Sequence, residues 1–401
     1  SAEGRAALDE VAGYQLTDAS LIAEISSARA RFGERAGVLV ETVRLRRRAS
    51  AKLRDAGGWL FTDEALQQAT ATPVAEHRAR RLAGAAVHDV TCSVGTELAA
   101  LRDTAQCVVG SDIDAVRLAM AEHNLGLRGE SVLLCRADAL RPVTAGTVVV
   151  ADPARRSGTR RRFDPRSYLP PLDDLIGVLE GREYVVKCAP GIDFDAVRRL
   201  GFDGEIEVTS WAGSVREACL WSRGLSPSGV HRRASVLDTG EQFTDGEPDD
   251  CPVRPAGTWI VDPDGAVVRA GLVRQYAVRH GLWQLDADIA YLSGDRLPAG
   301  IRGFEVLDTL PYHERRLRQA LSDRGVGAVE ILVRGLDVDP DVIGGYTCAT
   351  AEAAGVKFEL TTLAKMGRFD QEVNIDMPAA SDIPRLETIQ VKPVCMGADS
   401  A

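Results

Sequence analysis

No two of the eight cysteines are spaced as C-x-x-C. They lie scattered from Cys92 to Cys395, and the six histidines are as dispersed. That scatter offers neither a disulfide framework nor a zinc site, so a reduced, cytosolic protein with no metal is expected. Long apolar runs are missing too: nothing approaches the ~18 residues of a membrane-spanning helix. The first residues, SAEGRAALDE, lack the basic and apolar segments of a secretory signal, and no membrane partner is expected. Aromatics are scarce at 5%, while Ala, Arg, Gly, Val and Asp abound, a skew of codon usage without chemical content. Positive charge is in deficit. The formal net charge of −10 disfavours diffuse binding to nucleic acid, though a local basic groove stays open.

What is present is ordinary globular material: 401 residues, 45% hydrophobic and 26% charged, enough for two or three domains. Residues 1–84 read as a helical N-terminal domain, with apolar residues at helical spacing in LIAEISSARARFG and AGVLVETVRLRRRASAKLRDAG. The second of these carries Arg44, Arg46, Arg47, Arg48, Lys52 and Arg54, either a solvated face or a patch for a polyanion. A further helix is expected through TDEALQQATATPVAEHRARRLAG, interrupted near Pro73. From 85 to 223 short apolar runs alternate with helical stretches, the pattern of β-α-β units on a parallel sheet, and a closing hairpin adds an antiparallel strand. Residues 224–257 are rich in Pro, Gly, Asp and Ser and read as a linker or surface excursion. Residues 258–401 read as a smaller α/β domain, with strand, turn, helix in TWIVDPDGAVVRAGLVRQYAVRHG and strand, helix, strand from Phe304. Oligomeric state is not legible in this pattern.

The chemistry lies at the strand ends of the first α/β domain. VHDVTCSVGTELAAL is a strand, a turn of small residues and a helix start, which aims backbone N–H groups and a helix N-terminus at a ligand. Thr91 and Ser93 stand where a dinucleotide pyrophosphate needs bare glycine backbone, which argues against a nicotinamide oxidoreductase. The next strand ends in Asp112, at about the 20-residue spacing that brings an acid to ribose hydroxyls. Asp138 and Asp152 end the strands that follow. Together these acids outline a site for a nucleoside-bearing ligand.

The order of these motifs, DVTCSVGTE, GSDID, ADA, DPARR and KCAPGID, resembles a class I S-adenosylmethionine-dependent methyltransferase, of the bacterial family with a THUMP-like C-terminal domain. The resemblance runs from LFTDEALQQAT and AEHRARR to about residue 339. It implies a Rossmann-like domain with a mostly parallel seven-stranded sheet, S-adenosyl-L-methionine as cofactor, and RNA (tRNA or rRNA) as partner. Asp89, Thr91, Cys92, Ser93, Gly95 and Thr96 would shape the methionine end of the cofactor site. Asp112 and Ile113 would meet the ribose, Asp138 and Ala139 the adenine, and Asp152 the methyl-transfer end. Asp152 and Pro153 would border the acceptor pocket, shaped also by Lys187, Pro190 and Gly191.

Six arginines fall within residues 155–166. Arg155 and Arg156 replace the aromatic that follows Asp-Pro-Pro in amino-methylating enzymes, and can stack on a base or clamp a phosphate. Arg160, Arg161 and Arg162 are placed to grip nucleic-acid backbone. Cys188, in a C-x-P context like that of 5-methyluridine enzymes, reads more readily as a small core residue than as a nucleophile. Arg315, Arg316 and Arg318 share one expected helix in the C-terminal domain. Two other classes stay open: an RNA-binding factor that has lost catalysis, and a methyltransferase for protein or small molecules.

Overall fold

The computed structural model describes residues 2–127, 129, 132–155, 165–311, 314–324, 328–334, 357–364 and 386–394. Chain contacts divide it into two units, Ser1–His231 with Ser235–Gly240, and Arg232–Ala234 with Glu241–Ala401.

The first unit opens with three helices, α1 (Ala2–Ala12), α2 (Leu21–Phe32) and α3 (Ala36–Ala49), closed around Ala7, Val11, Ala28, Leu39, Val40 and Val43. Three of the cations in and just after α3 bond backbone carbonyls, while Arg44, Arg48 and Arg54 are exposed. Arg47 donates to the carbonyls of Ala12, Tyr14 and Gln15, and Arg46 to those of Gly58 and Trp59. Lys52 does the same for Leu66, Gln67 and Ala69, where the next helix ends. Cations fit there because helix-end carbonyls lack backbone partners. That next helix, α4 (Asp63–Gln68), starts at the Thr62 cap; α5 (Thr72–Arg81) follows, with Pro73 in its first turn, where the missing N–H costs nothing.

Seven strands of a nine-stranded sheet follow: β1 (Ala86–Asp89), β2 (Cys107–Asp112), β3 (Leu133–Arg136), β4 (Val148–Ala151), β5 (Tyr184–Cys188), β6 (Glu205–Trp211) and β7 (Ser214–Trp221). Their order is β3-β2-β1-β4-β5-β7-β6, parallel through β5, with β7 antiparallel to both its neighbours. Successive side chains leave opposite faces, so Val149 and Ala151 enter a core with Leu172 and Leu175. Val150 meets Ala75, Ala79 and Leu82 of the α5 region on the other side. Both faces being covered, the strands read as continuous apolar runs. The connecting helices include α6 (Thr96–Leu101), α7 (Ala115–Gly126), α8 (Leu172–Val178) and α9 (Phe194–Arg199). Within 224–257, where the sequence suggests a linker, Arg232–Val236 and Glu241–Thr244 are strands, and Ala234, Val236 and Phe243 are buried. Strands this short carry too little apolar pattern to stand out among turn residues.

The second unit has a seven-stranded sheet whose longest strands are Gly303–Pro311 and Leu386–Val394, paired antiparallel. Ile260, Ile289, Tyr291 and Phe304 form its core. The single helix expected after Trp259 is two, Gly265–Ala270 and Val273–His280, because Gly271 adopts a left-handed φ of 69° and ends the first. Helix Glu314–Asp323 carries Arg315 and Arg316 exposed; the Arg318 side chain lies outside the described residues.

Candidate active site

A cavity of about 560 Å³ opens at the carboxyl ends of β1, β2 and β4, where the strand order reverses. A crevice forms there because the helices after β1 and β4 leave on opposite faces of the sheet. The turn after β1 is built by its own side chains. Thr91 N–H donates to Asp89 Oδ1 at 3.0 Å, and the Thr91 hydroxyl accepts the Asp152 N–H at 2.6 Å, tying the β1 turn to the end of β4. Ser93, at φ 49°, donates its N–H to Asp112 Oδ2 at 2.9 Å. Gly95, at φ 88°, starts α6, and a Cβ there would stand 3.3 Å from Leu125. No bare glycine backbone faces the turn before Gly95, so a pyrophosphate has no close approach.

The second oxygen of Asp112 accepts Asp114 N–H at 2.9 Å. Two backbone donors thus fix this carboxylate, and its remaining lone pairs are suited to a vicinal diol. Asp138 is exposed and accepts Leu140 N–H at 3.0 Å. Ile113 lines the cavity while 66% exposed, and with Ala139 and Leu140 supplies apolar surface for a flat ring.

Beneath the cavity lies a buried charge network. Arg78 of α5, 1% exposed, grips Glu97 of α6 in a bidentate pair of 2.7 and 3.1 Å, and also bonds Glu217 of β7. Three side chains of α5 serve strand acids in this way: besides Arg78, Arg81 reaches Glu205 and Glu207 at 2.7 Å, and His77 meets Glu207 at 2.7 Å. Among the described residues Asp89 has no such ion pair. Burial, reinforced by the Glu97 charge, pushes its carboxyl up to about 8. An uncompensated acid of this kind invites a cationic ligand. Sulfonium and ammonium groups, a ribose diol and an adenine ring therefore all find complementary lining here.

Lys187 of β5, 7% exposed, donates to Asp152 Oδ2 and to the Thr70 hydroxyl on the α4–α5 loop. Burial opposes its charge, but the Asp152 carboxylate outweighs that and holds its pKa above the ordinary lysine value.

Of the residues singled out from sequence, Asp89, Thr91, Cys92, Ser93, Thr96, Asp112, Ile113, Asp138, Ala139, Asp152 and Lys187 line this one cavity. Gly95, Pro153 and Pro190 do not: Gly95 turns the chain into α6, and the prolines lie outside the lining. Cys188 sits in the core beside Val186 and Tyr168, and burial pushes its thiol far up, which is unsuited to a nucleophile. The Arg155 side chain, Arg156, Arg160, Arg161 and Arg162 lie outside the described residues. Sequence reasoning missed Glu97, and the wall from α4 and its loop, Glu64, Ala65, Gln68 and Ala69, with Leu169 to Pro171. Glu97 had a signal, an acid in a first helical turn, but one equally explained by the helix dipole. Among the described residues, no group of three His, Cys, Asp or Glu is placed to hold a metal ion.

The THUMP domain-like family profile matches residues 301–343. Two proteins of Mycobacterium tuberculosis, from strains CDC 1551 / Oshkosh and ATCC 25618 / H37Rv, are each 67% identical over 321 residues, spanning 79% of this chain and 90% of theirs. Both are named as S-adenosylmethionine-dependent methyltransferases. The crystal structure of a Porphyromonas gingivalis W83 protein, assigned as a methyltransferase, superposes with a TM-score of 0.67 at 17% identity, covering 90% of this chain and 91% of that one, and so shares the fold. Both the strand order and two thirds identity over most of the chain lead to one conclusion: this chain belongs to the S-adenosylmethionine-dependent methyltransferases, an α/β enzyme with a THUMP-like segment near its C-terminus.

Proposed function

We propose that the enzyme methylates a base in structured RNA, tRNA or rRNA. One observation carries this reading: Asp152 sits in the cavity lining, and six arginines follow it within residues 155–166 of a chain whose net charge is −10. A polyanion steered to one carboxylate explains that local reversal of charge. The THUMP-like match at 301–343 supports the same substrate class, as does the exposed pair Arg315 and Arg316.

In this reading Asp89 takes the cofactor's ammonium, Asp112 its ribose diol, and Ile113, Asp138 and Ala139 its adenine. S-adenosyl-L-methionine supplies an electrophilic methyl carbon. Asp152 and Lys187 stand where the acceptor meets it, and Arg155, Arg156 and Arg160 to Arg162 hold the RNA backbone. Alignment of acceptor and methyl supplies much of the rate, since a positioned pair needs no encounter step.

Nucleoside mass spectrometry of RNA from cells with and without the gene is the test. One methylated nucleoside should be lost without the gene and restored by the wild type but not by Asp152→Ala. Unchanged nucleosides, with cofactor binding intact, would exclude RNA and favour a protein or small-molecule acceptor.

A further inference from the structure

Two walls of the cavity come from different parts of the chain. One is α4, with Glu64, Ala65, Gln68 and Ala69; the other is the end of β2 with the first turn of α7, including Ile113, Asp114 and Arg117. The α4 wall is pinned at both ends. Before its start, the buried Asn124 amide of α7 accepts the Leu60 N–H at 2.7 Å. The same amide donates to the carbonyls of Leu60 at 3.0 Å and Val94 at 2.9 Å. At its end the Lys52 ammonium holds the carbonyls of Leu66, Gln67 and Ala69. Between these anchors Ala65 and Leu66 pack with Leu45, Leu53, Phe61 and Val94. Swinging the helix outward would leave buried polar groups without partners and open that core, so α4 is a fixed wall.

The bond that joins the two walls at the cavity rim is of another kind. Glu64 Oε2 accepts from Arg117 Nη2 at 2.8 Å, with the glutamate side chain 66% exposed and the arginine 20%. Arg117 Nε also lies 3.8 Å from Asp114 Oδ2, which keeps the guanidinium near the rim when the glutamate leaves. An exposed pair is weak and screened by salt, and it parts by rotation of two long side chains with the backbone at rest.

We propose that the Glu64–Arg117 pair is a side-chain gate set between rigid walls, parting to let the cofactor in and its product out. This rests on the reading of the cavity as the cofactor site. Each turnover exchanges S-adenosylhomocysteine for S-adenosyl-L-methionine, so passage through the gate recurs in every cycle. The gate sets rates and not affinity. A pair formed in both the free and the loaded protein slows entry and exit by one factor, and their ratio stays fixed.

Surface plasmon resonance on the full chain, with S-adenosylhomocysteine at pH 7.5, reads both rate constants. Glu64→Gln, Arg117→Gln and the double variant should each raise association and dissociation together, by about two- to fivefold. The double variant should be no faster than either single one, and Arg117→Lys should stay close to wild type. Raising salt from about 0.05 to 1 M should speed both steps in wild type and leave the double variant unmoved. The salt arm needs no variant to fold. Faster dissociation alone, with affinity lost to match, assigns the pair to gripping the ligand and overturns the proposal. So do rates unchanged in all variants, or a salt response equal in wild type and the double variant. Failure of wild type to bind S-adenosylhomocysteine would instead sink the cavity reading.

Discussion

Asp89→Asn probes the most deeply buried of the cavity's aspartates, which has no ion pair among the described residues. The Asp89 carboxyl is pushed from 3.8 to about 8, first by burial and then by Glu97, while its bond from Thr91 N–H works the other way. Lys187 and Asp152 also face it, with opposite signs, and Arg78 holds Glu97 from behind. At about 1.4 kcal/mol per pK unit, a shift near four units sets about 5 kcal/mol against an ionised Asp89 in the free protein. A bound ammonium removes much of that cost, so binding should expel the proton. Titrating S-adenosylhomocysteine at pH 6.5 in buffers of different ionisation enthalpy should show close to one proton released by wild type and none by Asp89→Asn. The affinity of wild type should rise about tenfold per pH unit between roughly pH 5 and 7.5. Stability of the free protein must run the opposite way. The folded state keeps this proton up to about pH 8 and the unfolded state loses it near 3.8. The contribution is therefore complete below pH 4 and lost as pH rises through 8. Proton release equal in wild type and Asp89→Asn, or absent from both, would refute the reasoning.

Three further outcomes are expected. Arg78→Met leaves Glu97 and Glu217 without their paired cation and should cost about 3–5 kcal/mol in urea unfolding, with Glu97→Gln recovering part of it. Gly95→Val places a branched residue at φ 88° within reach of Leu125 and Ala121; the melting temperature should fall by an amount matching about 1–2 kcal/mol or more, and S-adenosylhomocysteine affinity should fall with it. Replacing Arg160, Arg161 and Arg162 by alanine should weaken binding of bulk tRNA and flatten its log–log salt dependence by up to about three units of slope, as measured by fluorescence anisotropy.

The strand-ending acids were legible because each closes an apolar run and precedes a turn, a local pattern that survives without tertiary information. The alternation of strands and helices gave the parallel sheet for the same reason. Gln68 and Ala69, which line the cavity, and Thr70, which bonds Lys187, were not legible: they come to the site only because the α4–α5 region packs on a face of the sheet, a contact between residues distant in sequence. The cations of α3 were read by charge alone, and charge has no counterpart in a carbonyl, so the partners of Arg46, Arg47 and Lys52 could not be named. Glu205, Glu207 and Glu217 sit in strands that face α5, and acids in apolar strands make sense only once His77, Arg78 and Arg81 are set opposite them.

The Arg78–Glu217 pair joins residues 139 apart. As the chain leaves the ribosome, α5 and the whole run from β1 to β5 exist before β7 does, and the arginine must stay solvated until then. Because β7 inserts between β5 and β6, the sheet cannot be zipped up in the order of synthesis. The floor of the cavity is thus completed by one of the last strands of its unit, and a nascent chain halted before residue 217 carries every strand-ending acid of the site with Glu97 and Arg78 still short of their final partner.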